Sequence, residues 1–273
     1  YNFSYVNIKH LHRYAIANDY VSGKKVLDIA SGEGYGSCLL AEKAFEVIGV
    51  DIDFETIENA KLKYSKNNLR FLVGRADKIP VDSNSIDIVV SFETIEHHDK
   101  HEEMFLEIKR VLKTDGILIM SSPDKKHYSD IPGFKNRFHV KELYFKEFRE
   151  LVDKSFQFTK YYYQNSFNFN SFISDENSYP DVEIFSGDNK NISKDKIEPL
   201  YNIVIASNNE LLKLKTSIFF FLFIRNLEIK QIVKMNSSAI HNSLTFKIGR
   251  LVCYPIFFLL NDKTKKWLKN QFL

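Results

Sequence analysis

Val26-Leu27-Asp28-Ile29-Ala30-Ser31-Gly32-Glu33-Gly34-Tyr35-Gly36-Ser37 is the stretch whose reading decides the fold. Its first five residues make an apolar run fit for a buried strand. Three glycines follow at alternate positions, and Ser37-Cys38-Leu39-Leu40-Ala41-Glu42-Lys43 is compatible with a helix. In such a strand, glycine-rich turn and helix, backbone approaches a bound nucleoside more closely than side chains permit. A second apolar strand, Val47-Ile48-Gly49-Val50, ends at Asp51. That acid stands about 20 residues past the first glycine, where a carboxylate can hold two ribose hydroxyls.

Charge separates two kinds of nucleoside. Dinucleotides use G-x-G-x-x-G, with the pyrophosphate on the helix N-terminus. Here the spacing is G-x-G-x-G and Glu33 sits inside the loop, where it would repel a pyrophosphate. S-adenosylmethionine (SAM) carries a sulfonium and an ammonium, which suit Asp28 and Glu33.

The same residues resemble the first motif of class I SAM-dependent methyltransferases. The resemblance continues at Val50-Asp51-Ile52-Asp53, at Gly74-Arg75-Ala76-Asp77, and from Ile86 to Phe92. It extends through Phe105 to Ile119 and covers roughly residues 10–165. It implies that Asp51 binds the ribose, Asp77 the adenine amino group, and Gly32 and Gly34 the methionine moiety. Arg13, Tyr14, Asp28 and Ala30 complete the implied cofactor set together with Tyr35, Ile52, Ala76 and Phe92. S-adenosylhomocysteine would be the product. Thr114-Asp115-Gly116 departs from the family's usual Pro-Gly-Gly turn.

Strand and helix patterns alternate from 25 to 122, which predicts a doubly wound, Rossmann-like α/β fold. The expected sheet is seven-stranded and mostly parallel, with its last strand at 201–207. An opening helix is expected over 4–20. Residues 164–200, rich in Asn, Ser and Asp, read as an insertion or lid. The methyltransferase domain is placed at 1–207 and a basic, helical, apolar extension at 208–273.

Phe92-Glu93-Thr94-Ile95-Glu96-His97-His98 closes the strand whose carboxyl end faces the methyl group in this fold. Glu93, Glu96 and His97 follow E-x-x-E-H. That pattern is similar to one in quinone O-methyltransferases and in small-RNA-type 2′-O-methyltransferases, where it accompanies a metal. Carboxylate and imidazole ligands suit Mg²⁺ or Mn²⁺. In the RNA enzymes a further histidine comes downstream, which makes His139 the candidate fourth ligand. Two alternatives stand beside the metal: His97 as a metal-free base, or a structural role. An alkyl hydroxyl needs a base or a metal to gain alkoxide character, so Glu93, Glu96, His97 and His139 tilt the reading towards O-methylation. His98 and His101 read as solvated, and His10, His12 and His241 as surface residues.

Four segments, His10 to Tyr14, Ser91 to His97, Asn136 to Leu143 and Tyr163-Gln164, look like those of methyltransferases of bacterial cell-surface glycan synthesis (capsule or O-antigen). That looser resemblance implies a sugar hydroxyl or a phosphate as methyl acceptor. Tyr161, Tyr162, Tyr163, Phe167, Phe169 and Phe172 are candidates for stacking on a sugar ring or for ordinary core positions. A quinone-like O-methyltransferase is the alternative. A non-catalytic, membrane-associated SAM-binding scaffold is the alternative of another class.

The net charge of +3 hides an asymmetry. Residues 209–273 hold 11 Lys/Arg against 3 Asp/Glu, and the remainder holds 27 against 32. A net acidic catalytic part argues against a nucleic-acid partner. The apolar runs 218–224 and 254–260 fall far short of the ~20 residues that span a bilayer. Beside basic charge they suit a peripheral membrane contact or a subunit contact. Cys38 and Cys253 suggest no disulfide framework, and no signal-peptide pattern is visible. The sequence opens on Tyr1 rather than a methionine, as a trimmed chain would. The expected setting is cytoplasmic, at or near the inner face of the membrane.

Overall fold

The computed structural model describes residues 6–167, 170–178, 183–195 and 198–220. Tyr1–Phe219 form one compact unit and Phe220–Leu273 a second, which enters the described residues only at Phe220.

The chain runs α1 (Val6–Ala17), β1 (Lys25–Ile29), α2 (Tyr35–Leu40), β2 (Glu46–Asp51), α3 (Phe54–Lys63), β3 (Leu69–Val73) and β4 (Ile86–Phe92). A single tight turn, Ile95–His97, precedes α4 (His101–Val111) and β5 (Leu112–Pro123). A widened turn at Lys126–Asp130 precedes α5 (Phe145–Ser155) and β6 (Phe158–Phe167). Then come β7 (Asn170–Asp175), β8 (Ile184–Gly187), β9 (Ile192–Asp195), β10 (Tyr201–Ser207) and β11 (Ser217–Phe220).

One sheet has the order β11-β7-β6-β10-β5-β4-β1-β2-β3. From β3 to β5 the pairings are parallel, while β10 runs antiparallel to both β5 and β6. A parallel sheet needs both faces covered, and β1 shows how the sequence meets that need. Leu27 and Ile29 join a core with Met104, Phe105 and Phe148. Val26, one residue out of step, joins the opposite core with Leu40, Val47 and Ile88. The chain leaves β1 for β2 on one side and returns through β4 on the other. The carboxyl ends of β1 and β4 therefore flank the switch point where α/β sheets bind ligands.

The expected strands and helices through residue 122 are present. In place of the expected seven strands, the sheet has nine among the described residues. Residues 164–200 are only partly an insertion: β6 runs on to Phe167, and β7 extends the sheet antiparallel to it. Ser171, Phe172, Ile173 and Ser174 of β7 are all buried, so their polar character did not make them a loop. Among the described residues of 164–200, β8 and β9 form a separate two-stranded ribbon. Tyr161, Tyr162 and Phe172 are core residues and offer no face to a sugar. The side chains of Phe167 and Phe169 lie outside the described residues.

The boundary expected after 207 moves as well. Leu211 is buried, the backbone N–H of Leu214 donates to Tyr162 Oη at 3.0 Å, and Lys213 Nζ lies 3.1 Å from Asp175 Oδ2. Residues 208–216 are irregular and 217–220 form β11, so this stretch is not helical. The helical reading of 221–273, His241 and Cys253 fall outside the described residues. No helix among the described residues is long and apolar enough to cross a membrane.

The Thr114-Asp115-Gly116 turn is absorbed into β5. The pairing shifts between Ile86↔Leu112 and Ile88↔Ile117, so the extra residues form a bulge opposite Asp87.

Candidate active site

The glycine loop leaves β1 through Ala30, whose φ of 57° is left-handed, and continues through Gly32 (51°) and Gly34 (81°). Gly34 caps α2 and packs against Phe71; a Cβ there would lie 2.6 Å from that ring. At Gly36 a Cβ would lie 1.9 Å from the Tyr14 ring. A Cβ on Gly32 would meet nothing within 4 Å, so the turn faces open space.

Asp51 anchors the loop from the next strand. Its Oδ2 accepts from the Gly32 N–H at 2.9 Å and its Oδ1 from the Asp53 N–H at 3.0 Å. Asp53 in turn caps α3 by accepting from the Thr56 N–H. Ile52 beside Asp51 is 66% exposed, an apolar surface a purine can cover. Open backbone at Gly32, a carboxylate at the strand end and a bare apolar flank fit SAM. Ala76 sits against one core, while the Asp77 carboxylate is held by Arg75 at 2.7 Å and by Lys100 at 3.0 Å. Those two cations keep it well below the usual carboxylate range, and an adenine amino group would compete with them.

Asp28 lies beneath the loop, fully buried. Ser37 Oγ donates to it at 2.6 Å, and Tyr14 Oη lies 3.3 Å from each of its oxygens. Burial pushes its carboxyl up to about 7, against partial relief from those hydroxyls. Tyr14 packs edge-on to Phe92 and Tyr35 at 5.1 and 5.7 Å, so four expected cofactor residues form one cluster.

Arg13 is buried elsewhere. Its Nε donates to Gln164 Oε1 at 2.6 Å, its Nη1 lies 2.9 Å from Glu93 Oε1, and the guanidinium covers the Tyr201 ring at 4.5 Å. Glu93, at a left-handed φ of 55°, also accepts from Ser121 Oγ at 2.9 Å. Among the described residues the group able to hold a metal is Glu96, His97 and His139, whose ligand atoms lie within 4.8 Å of one another. Glu93 lies outside that group and is instead paired with Arg13.

The remaining three fit a divalent cation. Glu96 is buried, and neither carboxylate oxygen has a hydrogen-bond partner. Burial, and then the Glu93 charge, pushes its carboxyl well above the usual range. His97 Nδ1 faces the Phe138 carbonyl at 3.0 Å. A carbonyl only accepts, so Nδ1 carries the proton and Nε2 the lone pair. That Nε2 lies 4.0 Å from Glu96 Oε1. His139 Nδ1 meets Glu142 Oε1 at 2.5 Å, and its Nε2 accepts from Asn136 Nδ2 at 2.9 Å. A carboxylate behind one imidazole nitrogen raises the basicity of the other, as in metal-bound and base histidines alike. The two rings meet edge-on at 5.1 Å. The loop carrying His139 is tied to the turn carrying His97, since the Val140 and Lys141 N–H groups donate to the Glu96 carbonyl.

Residues 27–120 match a family model described as a methyltransferase domain. A probable S-adenosylmethionine-dependent methyltransferase of Mycolicibacterium smegmatis is 35% identical over 135 residues, 48% of this chain and 51% of that protein. The chain carries a class I SAM-dependent methyltransferase domain. SAM is its cofactor, and the glycine loop and Asp51 lie inside the matched segment. A demethylmenaquinone methyltransferase of Lactococcus lactis is 30% identical over 142 residues, 50% of this chain and 54% of that protein. The YcgJ protein of Bacillus subtilis shares the fold, with a TM-score of 0.54 at 18% identity over 74% of this chain and all of that one. The chain spans about half the length of the curated relatives it matches.

The roles of several residues near the site were not read from the sequence, although Asn136, Glu142 and Gln164 lie in segments it singled out. Glu142 and Asn136 orient His139, and Gln164 holds Arg13, yet none follows a periodic pattern. Tyr128 stacks on His139 at 5.5 Å and meets Tyr201 at 5.8 Å, although strands and loops separate them. His12 and His101 are buried rather than solvated. His12 lies between Ser171 Oγ and Ser217 Oγ, each at 2.9 Å, and His101 Nε2 donates to the His98 carbonyl at 2.7 Å.

Proposed function

We propose that the domain transfers the SAM methyl group to an oxygen nucleophile, and that the acceptor is a hydroxyl of a bacterial cell-surface sugar. The observation that carries the oxygen assignment is the Glu96–His97–His139 cluster at the carboxyl end of β4. The sulfonium is already a good leaving group, so the protein's task is to align the acceptor oxygen with the methyl and to take its proton. His97 Nε2 takes that proton, while its Nδ1–H stays on the Phe138 carbonyl. Glu142 orients His139 beside it. In the alternative, a divalent cation held by Glu96, His97 and His139 would lower the hydroxyl's pKa, and His97 would then serve as a ligand instead of the base. Glu93 serves as the partner of buried Arg13, so it holds the turn rather than touching the acceptor.

The support for a sugar is the aromatic group at the same place. Phe134 is exposed and half-buried Tyr128 stacks on His139, so two rings of the kind sugars stack on lie beside the cluster, while Tyr201 is buried behind them under Arg13. A second reading, a quinone-like small-molecule acceptor, is favoured by the apolar residues exposed beside the histidines, Phe134 and Phe138. The proposed setting is cytoplasmic, in keeping with the unpaired Cys38 thiol.

Labelled SAM incubated with the protein and an envelope extract, then separated into glycan and lipid fractions, tests both readings. Label in the glycan fraction is the expected result. Label in the lipid fraction selects the quinone-like reading, and no label in either selects the non-catalytic scaffold. Loss of signal with EDTA and its return with Mn²⁺ would assign the cluster to a metal. Indifference to EDTA would leave His97 as a plain base.

A further inference from the structure

We infer that loop 131–141, at the mouth of the site, docks the domain on an anionic lipid surface. Ile131, Phe134, Phe138 and Val140 are 66%, 52%, 61% and 64% exposed within ten residues of chain. Their exposure does not come from a frayed segment. The Ile131 N–H donates to Lys126 O, Phe134 to Ser129 O, His139 to Asn136 O, and Val140 and Lys141 to Glu96 O. A loop held this firmly while presenting large apolar side chains to water marks an interaction site.

Charge identifies the partner. Lys126, Lys135, Arg137 and Lys141 are exposed on the same stretch, and none of them has an ion pair among the described residues. Elsewhere the cations are largely paired, as Lys25 with Glu46, Lys66 with Glu42, Arg110 with Glu107 and Lys113 with Asp87. Arg137 instead lies over the Phe138 ring at 4.6 Å. The exposed acid of the stretch, Asp130, accepts from Tyr144 Oη at 2.7 Å. Unpaired cations interleaved with aromatic and aliphatic side chains match a bilayer interface, where head groups meet the charges and acyl chains the apolar tips. A nucleic-acid surface would leave Ile131 and Val140 uncovered. The loop's own backbone holds His97 and contains His139, so docking would bring the histidines to the lipid surface.

The test is co-sedimentation of the full chain with vesicles of phosphatidylcholine, with and without phosphatidylglycerol, at low and high salt. Binding to the phosphatidylglycerol vesicles that weakens with salt is expected. An Ile131→Asp/Phe134→Asp variant and a Lys135→Glu/Arg137→Glu variant should each bind about tenfold or more weakly. The second variant leaves the Phe134–Tyr128 ring contact in place, so it keeps the test sharp if the first unfolds. Thermal unfolding and SAM calorimetry on both variants separate docking from folding. Variants that sediment like the parent would overturn the inference, because lipid binding would then lie elsewhere in the chain. Equal binding to neutral and anionic vesicles would overturn it too. The readout needs no turnover, so it fails independently of the proposed methyl transfer.

Discussion

Two buried carboxylates at the carboxyl edge of the same sheet are treated in opposite ways. Asp28, at β1, is met by Ser37 Oγ and Tyr14 Oη from its own neighbourhood. Glu96, just past β4, has no partner for either oxygen. A buried carboxylate without donors is costly to keep ionised, and both carboxyls are pushed upward by burial. The difference lies in what each side of the site awaits. The cofactor side satisfies its acid from within and presents backbone to the ligand. The acceptor side holds an acid without a donor and, on His97, an imidazole nitrogen turned towards it, while His139 is held on both nitrogens by Glu142 and Asn136; what completes the acid must come from outside, as a cation or a proton.

If that contrast is right, the largest effect lies on the acceptor side. His97→Ala and His139→Ala should each lower kcat by about a thousandfold, while calorimetry shows unchanged SAM affinity. Near-parental turnover in both would make the cluster structural and erase the contrast.

The next effect lies on the cofactor side and appears in pH. The native carboxyl of Asp28 titrates near 7, above its unfolded value near 4. Between those limits the native state holds a proton that the unfolded state has lost. The stability from this group is therefore complete below pH ~4 and falls as pH rises towards 7, by up to about 4 kcal/mol. Asp28→Asn should flatten that part of the Tm-against-pH curve of the SAM-free protein. An unchanged slope would show that Ser37 and Tyr14 already keep the acid ionised.

The smallest effect sharpens the comparison most. Glu96→Gln removes an unpaired buried acid, so it should raise SAM-free stability at pH 8 by about 1–2 kcal/mol. Mn²⁺ should raise the Tm of the parent and leave that of the variant unchanged. A variant less stable than the parent would mean that Glu96 has a partner after all.

The cofactor side was legible because its chemistry is local. Gly32, Gly34 and Gly36 adjoin their strand, and Asp51 ends the next one. The acceptor side was legible only in outline. E-x-x-E-H drew attention to Glu93, Glu96 and His97 together, but an ion pair with Arg13, 80 positions earlier in the chain, takes Glu93 away. His12 read as a surface residue because its partners, Ser171 and Ser217, lie far along the sequence. Residues 164–200 read as an insertion or lid because serines, asparagines and aspartates resemble turn residues. The burial of Ser171 to Ser174 in β7 depends on α1 and β6 lying alongside.

The sequence by itself determined the alternating α/β order, the glycine loop with its distant acid, and the presence of two histidines suited to proton or metal chemistry. These follow from short-range patterns: hydrophobic periodicity, turn glycines and residue type. Tertiary structure alone decided which of two neighbouring glutamates stays unpaired and how far the sheet extends beyond seven strands. It also decided which nitrogen of His97 is free and that apolar and basic side chains share one exposed loop. Each of these depends on distant segments meeting, and sequence spacing carries no measure of that distance.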